Sequence, residues 1–329
     1  MTSNDRPMNY AKVFDPRKPL LPPSGKPAVG RDLRDGSFYV FTEPVERDPT
    51  VLVVNVALST GRPLLLSGPP GSGKSSLAAY IARTMNWNYF EQVISSRTTA
   101  QDLMWNFDAV RRLRDAQARS EVEELTAYIE PRVLWWAFDP LDAQRRGKPT
   151  QPNAPINADD GQHTGVLRDY SHPSVVLLDE IDKADPDVPN DLLVAIGSQR
   201  FRVTETGHEV KSELTPLLVI TSNNERALPG AFLRRCIVYR LEPPDANRLV
   251  DIANLHFPEQ REEQQQLFRE LAAKVIKMRD EAVEHGGPTP STPEYLDALH
   301  ACIDLNIRPG ETREWQIIEA AVFNKQLER

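Results

Sequence analysis

The sequence predicts an α/β fold: a parallel sheet flanked by helices, followed by a smaller α-helical domain. Three observations predict it. Arg62-Pro63-Leu64-Leu65-Leu66-Ser67 is a short apolar stretch that runs into Gly68-Pro69-Pro70-Gly71-Ser72-Gly73-Lys74-Ser75-Ser76, after which Leu77, Ala78, Ile81, Ala82 and Met85 recur at helical spacing. Val175-Val176-Leu177-Leu178 is an unbroken apolar run, the pattern of a parallel strand covered on both faces. Past Glu242-Pro243-Pro244 the remaining segments read as helices.

Composition bounds the problem. A chain of 329 residues suggests two domains, or one large and one small. A hydrophobic content of 40% and a charged content of 26% are ordinary for a globular protein and ample for a core. The net charge of −8, with no long Lys/Arg run, argues against a general nucleic-acid binder and leaves only a local basic channel open. Cys236 and Cys302 are the only cysteines, too few for a disulfide framework or a zinc site, so a reducing, cytoplasmic setting is expected. The longest apolar run, from Val51 to Leu58, is interrupted by Asn55 and is too short to span a bilayer. The N-terminus is polar with no secretory h-region, and no membrane role is expected.

The elements follow in order. Residues 1–44, rich in proline and charge, read as an extended arm or linker. The stretch Glu43 to Ser59 carries Val51, Val54 and Leu58 at helical spacing and stops at Gly61. The loop Gly68–Ser76 fits G-x-x-x-x-G-K-[ST] between a strand and a helix, the context that motif requires. Its glycines let backbone N–H groups converge on one anion at a helix N-terminus, with Lys74 reaching the outer phosphates and Ser75 holding Mg²⁺. Asn88 to Ile94 reads as a second strand. The long stretch that follows holds Arg111-Arg112-Leu113-Arg114 and a concentration of aromatics, Trp105, Phe107, Trp135, Trp136 and Phe138, whose default role is core packing. Residues 147–161 read as a mobile loop.

Asp179 and Glu180 follow the apolar run at its C-terminal end, where ligands bind in open α/β sheets. Phosphoryl transfer needs an acid at the Mg²⁺ shell and a base for the attacking water, roles that Asp179 and Glu180 fit in that order. The nearby Asp182, Asp185 and Asp187 read as solvated or helix-capping. Asp187 to Ile196 reads as a helix, Arg200 to Lys211 as a β-hairpin, and Thr215 to Thr221 as another buried strand ending in Ser222-Asn223-Asn224. An asparagine there would sit beside the γ-phosphate. Leu228 to Arg235 reads as a short helix whose terminal Arg234-Arg235 is either a dipole partner or an arginine finger for a neighbouring subunit. Cys236 to Leu241 completes the strands. Helices are expected at Ala246–His256, Gln260–His285, from Thr292 through Ile303, and at 311–327.

This ordered set resembles the AAA+ ATPases and, within them, the MoxR-like branch. The likeness is carried by GRPLLLSGPPGSGKSSLA, VVLLDEIDKADPDVPNDLL, VITSNNERALPGAFLRRC and, more weakly, PSTPEYLDAL. The resemblance implies a P-loop NTPase three-layer sandwich with strand order 5-1-4-3-2. It also implies a core over 45–242, a helical lid over 243–329, a helix-2 insert at about 95–140 and a pre-sensor-1 hairpin at 200–211. Asn223 becomes sensor 1, with Asn224 as the alternative register, and Arg234 or Arg235 the trans-acting finger. ATP and Mg²⁺ are the implied cofactors, and the implied assembly is a homo-oligomeric ring, usually a hexamer. The implied activity is ATP hydrolysis that remodels or activates a protein partner, in some relatives one of von Willebrand factor A type. A nucleic-acid motor and a nucleotide-binding signalling scaffold in bacterial defence are the alternatives. The sequence departs from the pattern at Pro293, where relatives place the sensor-2 arginine. Either another residue such as Arg308 or Arg313 supplies that charge, or the lid couples weakly to the γ-phosphate.

Overall fold

The computed structural model describes residues 10–18, 36–118, 124–148, 165–166, 171–260, 262–285, 289–310 and 312–324. The loop expected to be mobile, 147–161, lies outside the described residues apart from Gly147 and Lys148. The chain forms two compact units. The first holds the described residues up to Ser37, then Pro49–Ser67 and Lys74–Arg240; the second holds Phe38–Asp48, Gly68–Gly73 and the described residues from Leu241 onward.

In the first unit, in chain order, lie α1 (Pro49–Thr60), β1 (Leu64–Ser67), α2 (Lys74–Met85), β2 (Asn88–Val93), β3 (Trp105–Phe107), α3 (Ala109–Gln117), β4 (Ile129–Pro131), α4 (Val133–Phe138) and α5 (Pro140–Arg145). They are followed by β5 (Gly165–Val166), β6 (Ser174–Asp179), α6 (Asp187–Ser198), β7 (Arg200–Arg202), β8 (Glu209–Lys211), β9 (Leu217–Ser222), α7 (Gly230–Leu233) and β10 (Ile237–Arg240). The main sheet runs β10-β1-β9-β6-β2-β5. Its first five strands are parallel. Counting those five along the chain gives the order 5-1-4-3-2. The difference from expectation is a sixth strand: β5 pairs antiparallel with β2, Tyr89 opposite Val166. It gives hydrogen-bond partners to an edge that would otherwise be open.

Burial explains the strand order. Every residue of β9 is buried, as is every residue of β6 but the last, so both sit in the middle. β10 alternates half-buried and exposed residues, as an edge strand does. Register then aligns the strand ends, with Ser67 opposite Ser222 and Val93 opposite Asp179. The aromatics of the long insert are core: Trp105, Trp135, Trp136 and Phe138 join one buried cluster with Leu65, Phe90, Val176 and Ile220. The expected hairpin forms from β7 and β8, with Phe201 opposite Val210.

In the second unit α8 (Ala246–His256), α9 (Gln265–His285), α10 (Thr292–Asp304) and α11 (Arg313–Glu319) bury Leu249, Phe268, Leu271, Val275, Tyr295, Leu299 and Trp315 against one another. α10 opens with a capping box, the Ser291 backbone N–H donating to Glu294 Oε2 at 2.7 Å. Part of the N-terminal segment belongs to this unit. The buried Arg248 donates to the Val40 carbonyl at 2.9 Å and to Thr42 Oγ1 at 3.0 Å, and Phe38 meets His256 edge-on. No helix among the described residues is long and apolar enough to cross a membrane.

Burial, and secondly the charge of His300, pull the His256 imidazole from 6.5 down to about 4. The unfolded chain binds the proton first, so stability present above pH 6.5 should fall as pH drops towards 4, by roughly 3 kcal/mol at most. Thermal unfolding followed from pH 7.5 to 4.5 checks this, and His256→Phe should flatten the dependence.

Candidate functional site

The site is built on the end of β6. Five apolar or small buried residues carry the strand through the sheet, so its first charge emerges at the C-terminal edge as Asp179. Ser75, in the first turn of α2, places its hydroxyl 3.0 Å from both Asp179 carboxylate oxygens. Thr221, fully buried near the end of β9, donates its hydroxyl to Asp179 Oδ1 and accepts the Glu180 N–H at 2.9 Å. One threonine thus fixes the carboxylate and the backbone that turns away from it.

That turn is left-handed. Glu180 has φ 63° and ψ 47°, a conformation costing a residue with a side chain about 1–2 kcal/mol. Its side chain is held from two sides. Lys183 Nζ lies 2.7 Å from Oε2, and Asn223 Nδ2 donates to Oε1 at 3.3 Å. The structure therefore brings Ser75, Asp179, Glu180 and Asn223 together. Asn224 is exposed, has φ 61°, and its N–H bonds the Ser222 hydroxyl at 3.0 Å.

Lys74 is 7% exposed. Burial pulls its ammonium below the ordinary lysine range, against the opposing pull of Asp179, Asp182 and Glu180. The bond to Glu180 pushes Lys183 the other way, above that range.

In the second unit the loop Gly68–Gly73 is shaped by its own contacts. Gly68 has φ +145°, and a Cβ there would strike the Leu241 carbonyl oxygen. Gly71 has φ +75°, and a Cβ would come within 2.7 Å of the Thr292 backbone nitrogen and 2.9 Å of Ser291 Cβ. Thr292 donates its hydroxyl to the Gly71 carbonyl at 2.6 Å. Thus α10 begins against the loop, with Pro293 in its first turn rather than an arginine. The Ser72 hydroxyl is buried without a hydrogen-bond partner among the described residues, a polar group that an anion would satisfy. Pro69 is half-buried, and Pro70 and Ser76 are exposed.

Arg234 and Arg235 lie elsewhere in the first unit. Both are exposed just past α7, whose Phe232 is fully buried. They line a cavity of about 500 Å³ with Arg62, Leu193, Val194 and Gln199, none of which belongs to the carboxylate group.

Sequence reading missed two residues. Asp182, taken for a solvated or capping carboxylate, is 3% exposed and accepts the backbone N–H of Glu225 at 2.9 Å and of Asn223 at 3.4 Å. It anchors the turn after β9 because that turn needs acceptors and no strand supplies them. Thr221 gave one sign, a polar residue closing an apolar strand. Asp185 does bond locally, accepting the Asp187 N–H at 3.1 Å.

A family model described as AAA domain (dynein-related subfamily) matches residues 63–236, more than half of the chain. The match takes in the loop, the carboxylate group, the hairpin and the Arg234-Arg235 turn.

Thr221→Val removes a donor and an acceptor from a fully buried position and should destabilise the first unit by about 1–3 kcal/mol. Thr221→Ser should recover most of the loss, both read from urea denaturation.

Proposed function

We infer the function from one premise: the chain belongs to the AAA domain family, in its dynein-related subfamily. From the likeness of its sequence phrases we propose, beyond that premise, an ATPase of the MoxR-like branch that works as a homo-oligomeric ring, a hexamer by analogy with that branch, and remodels or activates a protein partner in the cytoplasm. The observation that carries the hydrolytic reading is the Ser75 hydroxyl set 3.0 Å from both oxygens of Asp179, with Glu180 next in the chain.

Each residue then has a task. The backbone N–H groups of Gly68–Ser76 and the Lys74 ammonium bind phosphate oxygens. Burial favours a Lys74 that meets anionic oxygen, because phosphate charge offsets the desolvation of its ammonium. Ser75 and Asp179 are the residues that would hold Mg²⁺. One hydroxyl and one carboxylate suit this ion, which takes few protein oxygens and keeps water and phosphate for the rest, and when bound it neutralises phosphate charge. Glu180 accepts the proton of the attacking water. Asn223, already donating to Glu180, orients that carboxylate and the water beside it. Arg234 or Arg235 of a neighbouring copy neutralises charge as the phosphoryl group departs, a contribution worth about 10³–10⁵ in rate in GTPases. The lid reads the loop through the Thr292–Gly71 bond, which supports loop–lid coupling without an arginine at Pro293. The protein partner expected for this branch is one of von Willebrand factor A type.

One observation favours a second reading, translocation of nucleic acid. Helix α3 has no buried residue and exposes Arg112 and Arg114 together with Val110 and Leu113. Binding of DNA that weakens steeply with salt would move the assignment to that class.

Glu180→Gln should bind ATP with near-native affinity while turnover falls about 10²–10⁴-fold, the range of a lost general base. Full turnover by this variant would remove the assignment. In the native protein, turnover per subunit should rise with protein concentration alongside a ring-sized species in light scattering; an ATP-binding monomer inactive at every concentration would favour the scaffold alternative.

A further inference from the structure

We propose that Arg62 is a positioning residue for the trans-acting arginines: its guanidinium grips the backbone of the turn that carries Arg234 and Arg235 and sets their aim at the neighbouring copy's nucleotide. This rests on the reading of Arg234 or Arg235 as the finger. The geometry is specific. Arg62 Nε donates to the Arg235 carbonyl at 3.1 Å, and Nη2 donates to the Cys236 carbonyl at 3.1 Å and to the Arg234 carbonyl. Three successive carbonyls thus converge on one planar cation, which has the fixed fork of donors this needs.

The turn's other bonds are local: the Arg234 N–H meets the Gly230 carbonyl at 3.2 Å, the Arg235 N–H the Phe232 carbonyl at 3.0 Å and the Cys236 N–H the Leu233 carbonyl at 3.2 Å, so they shape the turn without tying it to the sheet. α7 is only four residues long, and past Phe232 the chain is exposed through Leu233, Arg234 and Arg235 until Cys236 is buried again. A bond to the segment before β1 comes at the start of β10, where the Ile237 N–H meets the Pro63 carbonyl at 2.8 Å. Arg62 immediately precedes Pro63, so one short segment holds both the base of the turn and its carbonyls. Two of the three bonds are at exposed positions, where water can replace a lost donor. Their contribution to stability is therefore small. Their contribution to geometry is larger, since a displacement of about 1 Å far from the chemistry can cost on the order of 10²-fold in rate.

A purely local role for Arg62, steadying β1 and the loop after it, predicts a defect in the same subunit's nucleotide site. The proposal predicts a defect in the neighbour's site. Arg62→Ala, with Arg62→Lys as the milder variant that keeps the charge but not the fork, separates the two. Expected for Arg62→Ala is a fall in kcat of about 10–100-fold, with the Kd of a non-hydrolysable ATP analogue within about twofold. Arg62→Lys should fall between this and the native protein. Mixing Arg62→Ala with Glu180→Gln should restore turnover, because the second variant supplies an intact finger to the first variant's intact Glu180. The double variant Arg234→Ala/Arg235→Ala, mixed in the same way, serves as the control. If the double variant is rescued and Arg62→Ala is not, or Arg62→Ala keeps native kcat while the double variant loses it, the finger stands and the role of Arg62 is overturned. If the double variant alone keeps full turnover, the finger reading fails and takes this proposal with it.

Discussion

The site depends on one carboxylate being held by two hydroxyls. Asp179 ends a buried central strand, and it meets the Ser75 hydroxyl from α2 and the Thr221 hydroxyl from β9. These bonds tie α2, β6 and β9 together at the C-terminal edge of the sheet. A carboxylate placed there without donors would carry a heavy desolvation cost; with two hydroxyls on it the charge is tolerated. The apolar run of β6 and the polar cluster beyond it are thus one device, the first driving the chain to the edge and the second stabilising the charge that emerges.

The neighbouring charges differ in how firmly they are held. Asp182 is fixed, buried under two backbone N–H groups. Lys74 is buried and its charge is disfavoured by that burial, so an added anion finds a favourable partner there. Glu180 is held less firmly. Its ion pair with Lys183 is made by side chains 28% and 41% exposed, in a setting where such pairs contribute only about 0.2–1 kcal/mol. A bond that weak positions the carboxylate in the resting protein without holding it against a water molecule and a phosphate that compete for it.

Much of this was legible in the sequence because the signals were local. The apolar runs before Gly68 and before Asp179, and the glycines at 68, 71 and 73, each specify a backbone arrangement within a few residues. The parallel order of five strands was implied by the family resemblance that the motifs carry. What was not legible needed long-range information. The partners of Asp182 lie more than forty positions away. Thr221 reaches Asp179 across a sheet whose register no single strand specifies. The edge strand β5 consists of only Gly165 and Val166, too short for any periodicity to show. The grip of Arg62 on residues 234–236 spans more than 170 positions, and an arginine before a proline carries no sign of it.

The insert and the hairpin show why an element that reads as peripheral can still be coupled to the sheet. Trp105 of β3 stacks on Phe201 of β7, ring centroids 5.7 Å apart, and donates its Nε1–H to Glu205 at 2.9 Å. Asp142 at the start of α5 receives Trp135 Nε1 at 2.9 Å and lies 2.7 Å from His208 Nε2 at the foot of β8. Two polar bonds and a stacked aromatic core therefore bind β3, α5 and the β7–β8 hairpin together. The hairpin in turn leads through residues 212–216 into β9, the strand that carries Thr221 near its end and runs into Asn223. Packed interiors transmit displacement rather than absorb it. The end of β9 is thus linked to the hairpin along one strand and to the insert through the Trp105 and His208 contacts.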